Sequence, residues 1–279
     1  MQCHSLRVCV EAGIATITLN RPSKRNALNI EFWQEFPEVI DTIDHGSLAR
    51  VIVIAGEGSM FCSGIDLSVF RNPSSRLVSG EPGRRSEDLR RTVLQLQAVL
   101  SKLENTRLPV LAAIHGGCIG GGLNLICACD CRYSTADAYF SLKETQLGMT
   151  ADLGVLQRLP SLIPNGLARE LAYTGRKIAS EEAFRSGLLN QVFADQEAMM
   201  KQVYVIAEQI ASNSPLAVTG SKEMLNYARD HSVADSLNYM ATWQSAMFQP
   251  NEVMKAMQAK AQKKSGEFDN LWPVKPPLS

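Results

Sequence analysis

Apolar and polar positions change with a short period at the start of the chain. Residues 6–10 and 15–19 are β-branched runs separated by Glu11-Ala12-Gly13, which predicts two strands joined as a hairpin. Ile30, Trp33, Phe36, Ile40 and Ile43 then recur at helical spacing. Pro37 sits inside that pattern, so a kink or a late helix start is expected there. Residues 50–55 (RVIVIA), closed by Gly56 and Gly58, form a continuous apolar run that suits a strand buried on both faces. Residues 70–85 are rich in Ser, Gly, Pro and Arg and read as a mobile loop. Beyond it, Leu89, Val93, Leu96, Val99, Leu100 and Leu103 mark a long amphipathic helix.

Residues 109–114 (PVLAAI) predict a second buried strand. It runs into His115-Gly116-Gly117-Cys118-Ile119-Gly120-Gly121-Gly122 and an apolar helical stretch. Ser180 before Glu181 and Glu182 has the form of a helix N-cap with an acidic first turn, and Gly187 that of its stop. From Ser214-Pro215 to Lys264 the pattern is helical, and the tail from Trp272, with three prolines, reads as extended. Strand–helix alternation followed by helices predicts an α/β core with a helical C-terminal lobe.

Composition narrows the function. At 279 residues, 45% hydrophobic and 20% charged, the chain can build a sizeable core. Twenty-eight Lys+Arg balance twenty-eight Asp+Glu, which removes the basic excess that nucleic-acid binding normally needs. No apolar stretch approaches the roughly 18 residues of a membrane span. The first ten residues lack the build of a signal peptide, so a soluble, intracellular-type protein is expected. Of seven cysteines, Cys118, Cys127, Cys129 and Cys131 crowd into one apolar stretch. Their spacing is wrong for a zinc site and the nearest histidine, His115, stands well upstream, so they read as buried free thiols.

Two segments carry candidate chemistry. Phe61-Cys62-Ser63-Gly64-Ile65-Asp66 follows the 50–55 strand, and Gly120-Gly121-Gly122 opens a helix after the 109–114 strand. Glycines at a helix start let backbone N–H groups approach a ligand, and the helix dipole favours negative charge there. A second N–H from a facing loop would complete a two-donor hole for an oxyanion. The same glycines also suit a closely packed turn. No Gly-Lys-Ser/Thr follows, so this is no Walker loop.

Together with Arg21-Pro22, Asn26-Ala27-Leu28-Asn29 and the span from His115-Gly116 to Asp130, these segments resemble the crotonase (enoyl-CoA hydratase/isomerase) superfamily. The likeness covers about residues 6–264. HGGCIGGG followed by DLGVLQRLP (residues 152–160) resembles its Delta(3,5)-Delta(2,4)-dienoyl-CoA isomerase branch. So does Arg229-Asp230-His231-Ser232-Val233, continuing to YMATW at 239–243.

The resemblance implies a crotonase (ClpP-like) spiral of ββα units over residues 1–214, with a helical lobe at 215–279 that builds trimers or hexamers. It implies an oxyanion hole from the backbone N–H groups of Ile65 and Gly121. Cys62, Ser63, Gly64 and Asp66 would line the substrate loop, with Asp66 shaping it, and Lys24 and Arg25 would run near the CoA phosphates. The first family carboxylate falls on Asn124, the second on Glu144, and the third, specific to the dienoyl branch, on Asp152. A hydratase of this kind needs carboxylates at both 124 and 144, and a neutral amide cannot take a proton.

The expected function is therefore acyl-CoA double-bond isomerisation in β-oxidation, 3,5-dienoyl-CoA to 2,4-dienoyl-CoA, with Glu144 serving C2 and Asp152 serving C6. Its rivals are a Δ3-Δ2 enoyl-CoA isomerase using Glu144 alone, and a non-catalytic acyl-CoA-binding or RNA-binding homologue. No metal or redox cofactor is implied; coenzyme A arrives as part of the substrate. No nucleic-acid or membrane partner is expected. The family resemblance points to a mitochondrial or peroxisomal setting, and Pro277-Leu278-Ser279 is no peroxisomal Ser-Lys-Leu signal. His115 reads as structural, and Asp130 as a capping or pairing group.

Overall fold

The computed structural model describes residues 3–70 and 81–275. β1 (Leu6–Glu11) and β2 (Ile14–Leu19) pair antiparallel, Leu6 opposite Leu19, as the hairpin pattern predicts. α1 (Ile30–His45) starts at Asn29, whose side chain accepts the Phe32 N–H at 3.2 Å. It runs on through Pro37 with no late start. Burying Phe32, Phe36, Val39, Ile40 and Ile43 outweighs the one backbone bond that proline removes. β3 (Val51–Gly56) is buried at all six positions.

α2 (Pro82–Asn105) begins inside the stretch expected as a loop. The Glu81 carboxylate accepts the N–H groups of Gly83 and Arg84, and proline suits a first helical turn. Residues 67–70 form a single 3-10 turn, and the rest of the expected loop, 71–80, lies outside the described residues.

β4 (Val110–Ile114), β5 (Gly117–Ile119), α3 (Gly121–Cys127), β6 (Cys131–Thr135) and β7 (Tyr139–Ser141) follow. α4 (Val155–Arg158), α5 (Asn165–Thr174), β8 (Ile178–Ala179), α6 (Ser180–Arg185) and β9 (Gln191–Phe193) come next. α7 (Gln196–Ala211), α8 (Pro215–Asp230), α9 (Val233–Met247) and α10 (Pro250–Ala261) close the chain. One sheet runs β1-β2-β3-β4-β6-β9, parallel after the first pair, and a second runs β5-β7-β8. Two consecutive strand pairs, β4–β5 and β6–β7, step from the first sheet to the second.

Alternation across β3 explains its continuous apolar run. Val51, Val53 and Ala55 pack with Met199, Val203 and Ala207 of α7, whereas Ile52 and Ile54 belong to the core that also holds Phe36 and Leu100. Both faces are covered, so neither tolerates polar residues.

Ser180 is not the N-cap its sequence suggests. It is the first residue of α6, fully buried, and its hydroxyl lies 2.6 Å from the Thr135 carbonyl and 2.9 Å from that of Ala138. Asp130 does pair: it accepts the Val110 N–H at 2.7 Å and the Lys222 ammonium at 2.9 Å. Lys222, buried, also donates to the carbonyls of Leu103 and Leu108, which anchors α8 to the core. α9 and α10 bury none of their own residues.

Cys62, Cys118, Cys127 and Cys129 are buried and unpaired, while Cys131 is half-buried. Burial pushes the Cys127 thiol up to about 12. Among the described residues no cluster with metal-ligand character occurs.

Candidate active site

The loop after β3 is tied on two sides. Leu28 donates to Gly64 O at 2.8 Å, Asp66 N–H to Leu28 O at 3.0 Å, and Ser63 N–H to Arg25 O at 3.0 Å, so segment 25–28 runs beside it. On the other side Cys62 N–H donates to Gly117 O and Ile119 N–H returns to Cys62 O, zipping the loop to β5. Gly64 has φ of +98°, and a Cβ there would lie 3.1 Å from Ile119 O and 3.5 Å from Gly121 N. Only glycine lets the strands close this far. Ile65 is thereby delivered to the start of α3: a Cβ on Gly121 would sit 3.4 Å from Ile65 N. Among the described residues, neither the Ile65 nor the Gly121 N–H has a hydrogen-bond acceptor.

Glu144 opens a 3-10 turn just after β7. Gly120 N–H donates to Ser141 O at 2.9 Å, which sets this turn against the glycine run. A Cβ on Gly120, φ +51°, would lie 3.5 Å from Glu144 Oε1. Asn124, fully buried in α3, donates from Nδ2 to Gly120 O at 3.0 Å and to Glu144 Oε1 at 3.2 Å. Its Oδ1 accepts the Val155 N–H at 2.8 Å. The other oxygen of Glu144, Oε2, is buried without a partner among the described residues.

Burial pushes the Glu144 carboxyl above its usual range; backbone and Asn124 hydrogen bonds pull it partly back, and the nearby charge of Asp152 raises it further. Asp152 lies in the loop before α4, where Gln97 of α2 donates to its carbonyl at 2.6 Å. The residue is exposed, yet enough protein surrounds its carboxylate to raise that group as well, through lost hydration. Ile65, Gly121, Asn124, Glu144 and Asp152 thus come together from four separated stretches of chain.

Residues 10–270 match the family model for enoyl-CoA hydratase/isomerase. The chain belongs to this family. It is 45% identical over 252 residues to the mitochondrial Delta(3,5)-Delta(2,4)-dienoyl-CoA isomerase of Rattus norvegicus, covering 90% of this chain and 77% of that protein. The peroxisomal protein of the same name in Arabidopsis thaliana is 43% identical over 267 residues, 95% of this chain and 96% of that one. The enoyl-CoA hydratase structure of Bacillus anthracis superposes with a TM-score of 0.83 at 29% identity, covering 98% of this chain and 100% of that one. The α/β crotonase fold expected from the sequence is the fold observed.

Within this enoyl-CoA hydratase/isomerase frame the remaining sequence candidates separate. Lys24 and Arg25 are exposed on the segment beside the loop. Ser63 is half-buried. Cys62 is a correction: its thiol is fully buried, 3.2 Å from the Asn26 carbonyl and packed under Gly122, so only its backbone belongs to the loop. Asp66 shapes the loop as expected; it accepts the Ser68 N–H at 3.1 Å and pairs with Arg21 at 3.1 Å. Hydrogen bonds from Ser68, with the Arg21 guanidinium, hold its carboxyl below the usual range. His115 is structural, its Nε2 2.8 Å from Gly58 O. The partners that sequence reading missed are Gln97 and the Val155 N–H. Both are ordinary groups distant in the chain, and no local pattern marks them.

Proposed function

We propose that this family member is an acyl-CoA double-bond isomerase that converts 3,5-dienoyl-CoA to 2,4-dienoyl-CoA. The observation that carries the reading is the state of Glu144: one oxygen is held by Asn124, and the other is buried with no partner among the described residues, against the glycine run that opens α3. The isomerase names of the rat and Arabidopsis relatives support it.

The N–H groups of Ile65 and Gly121 receive the thioester oxygen as negative charge develops on it. Glu144 takes the proton from C2 and becomes neutral. The double bonds move from C3–C4 and C5–C6 to C2–C3 and C4–C5, and Asp152 delivers a proton to C6 and becomes charged. Exchange with solvent, which the exposed Asp152 can reach, resets both groups. Raised proton affinity suits them, because one must be neutral while the other is charged. Asn124 cannot accept a proton, so the second carboxylate of a hydratase is missing. Lys24 and Arg25 flank the entrance for the CoA phosphates.

Residues 215–279 serve as the assembly lobe of a trimer or a pair of trimers, since α9 and α10 leave Val233, Leu237 and Val253 exposed. The working compartment is the mitochondrion or the peroxisome, as in the names of the two relatives.

Supplying 3,5-dienoyl-, 3-enoyl- and 2-enoyl-CoA in parallel, with absorbance followed, tests the reaction. Asp152→Asn is expected to abolish dienoyl conversion, by roughly 10²-fold or more, and to spare any 3-enoyl conversion. A dienoyl rate within a few-fold of wild type would replace the two-carboxylate relay with a single base at Glu144.

A further inference from the structure

Asn124 is the most connected side chain of the site, although it carries no charge. Its orientation is dictated by its neighbours. The Gly120 carbonyl and the Glu144 carboxylate can only accept, so both call for the Nδ2 side; the Val155 backbone can only donate, so it calls for Oδ1. An aspartate at this position would turn an ionised oxygen toward two acceptors. Even protonated, it would have one hydrogen for two of them. The amide satisfies all three partners at once, and it does so with no solvent in reach.

We propose that Asn124 is a positioning residue for Glu144, supplying its Oε1 with a donor at every pH and locking it to the opening of α4, three residues beyond Asp152. The two carboxylate-bearing segments, from β7 and from the loop before α4, are thereby held to one buried amide. The inference rests on the proposed role of Glu144 as the base.

The charged groups around Glu144 leave room for this control. Asp152 is the one whose charge raises it. On its own turn Lys143 is bound to Gln146. On α5, which packs against that turn, Glu170 is engaged by Arg176, and Arg169 by Asn165 and Tyr173. α3 contributes no Asp, Glu, Lys, Arg or His.

The test is Asn124→Asp in the full chain, nearly identical in volume. Ionisation of Glu144 is read by carboxyl infrared difference against Glu144→Gln, without substrate, and the pH profile of kcat/KM is read with it. The midpoint is expected to move up by about one pH unit, a tenfold gain in proton affinity, with the acid limb of the profile moving alongside. A folded variant with an unmoved midpoint overturns the proposal. Should the variant not fold, nuclear magnetic resonance of 15N-asparagine in the wild-type chain decides. The Asn124 side-chain amide must titrate with Glu144; signals that stay still through that transition overturn it equally. Because the ionisation readout needs no substrate, a chain that shows the shift but converts no dienoyl-CoA keeps this inference and loses the proposed reaction.

Discussion

Glu144 enters the folded chain at a cost in hydration, and the consequence is measurable apart from catalysis. A carboxyl held above its ordinary proton affinity binds more protons folded than unfolded at intermediate pH. Its contribution to stability is therefore intact below the unfolded value, about 4.3, and is lost as pH rises through the folded value. Glu144→Gln removes that loss: the amide can still accept from Asn124 through its oxygen. Calorimetry is expected to find this variant melting above wild type at neutral pH, with the difference vanishing near pH 3.5. Turnover should fall by roughly 10²–10⁴-fold, the usual worth of a general base. A variant less stable than wild type at pH 7 would mean that the buried carboxylate is better compensated than its unpartnered Oε2 indicates.

α3 shows how an element can be legible while its purpose is not. Three consecutive glycines before an apolar stretch announce a tight turn into a helix, and the helix does begin at Gly121. The turn matters because Gly64 and Gly120 both take positive φ and let the loop, β5 and Glu144 close on one another. Gly121 is the first helical residue, where proline's missing N–H is tolerated by the helix itself. Gly121→Pro should thus remove one oxyanion donor with little loss of fold, although the Leu28 side chain, 3.2 Å from a Cβ there, must yield slightly. The expected result is a kcat lower by roughly 10²–10³-fold with a melting temperature within a few degrees of wild type. A folded variant that keeps its rate would exclude Gly121 as a donor. Pro37 and Ser180 teach the converse: local signals for a kink and a cap yield when core contacts or buried carbonyls compete for the same residues.

The whole molecule presents a clear asymmetry. β3 and β4 at the centre of the sheet are buried throughout, whereas a cleft of about 880 Å³ among α8, α9 and α10 is walled by Met224, Trp243, Met247, Phe248 and Val253. Leu225, Val233 and Leu237 are 74%, 76% and 65% exposed, and apolar surface of this kind is what the proposed assembly would cover. Light scattering at micromolar concentration is expected to report three or six times the 30.6 kDa chain mass. A stable single chain under those conditions would reject the assembly lobe.

By itself the sequence determined the parts whose physics is local or periodic. The apolar run of β3 specifies burial on both faces, the spacing of Phe36, Ile40 and Ile43 specifies one helical face, and the glycine run together with Ser63-Gly64-Ile65-Asp66 specifies the family. Only the tertiary structure decided the surroundings of Glu144. A carboxylate written among polar residues becomes half-buried, is grasped by an amide twenty positions away, and feels a charge from Asp152. It also decided that Asn124 reaches Val155, thirty-one positions away, and that Gln97 holds Asp152 across fifty-five. Hydrophobic period is a property of neighbours in the chain, whereas proton affinity and hydrogen-bond partnership are properties of neighbours in space. Those neighbours exist only once the two sheets have closed around the glycines.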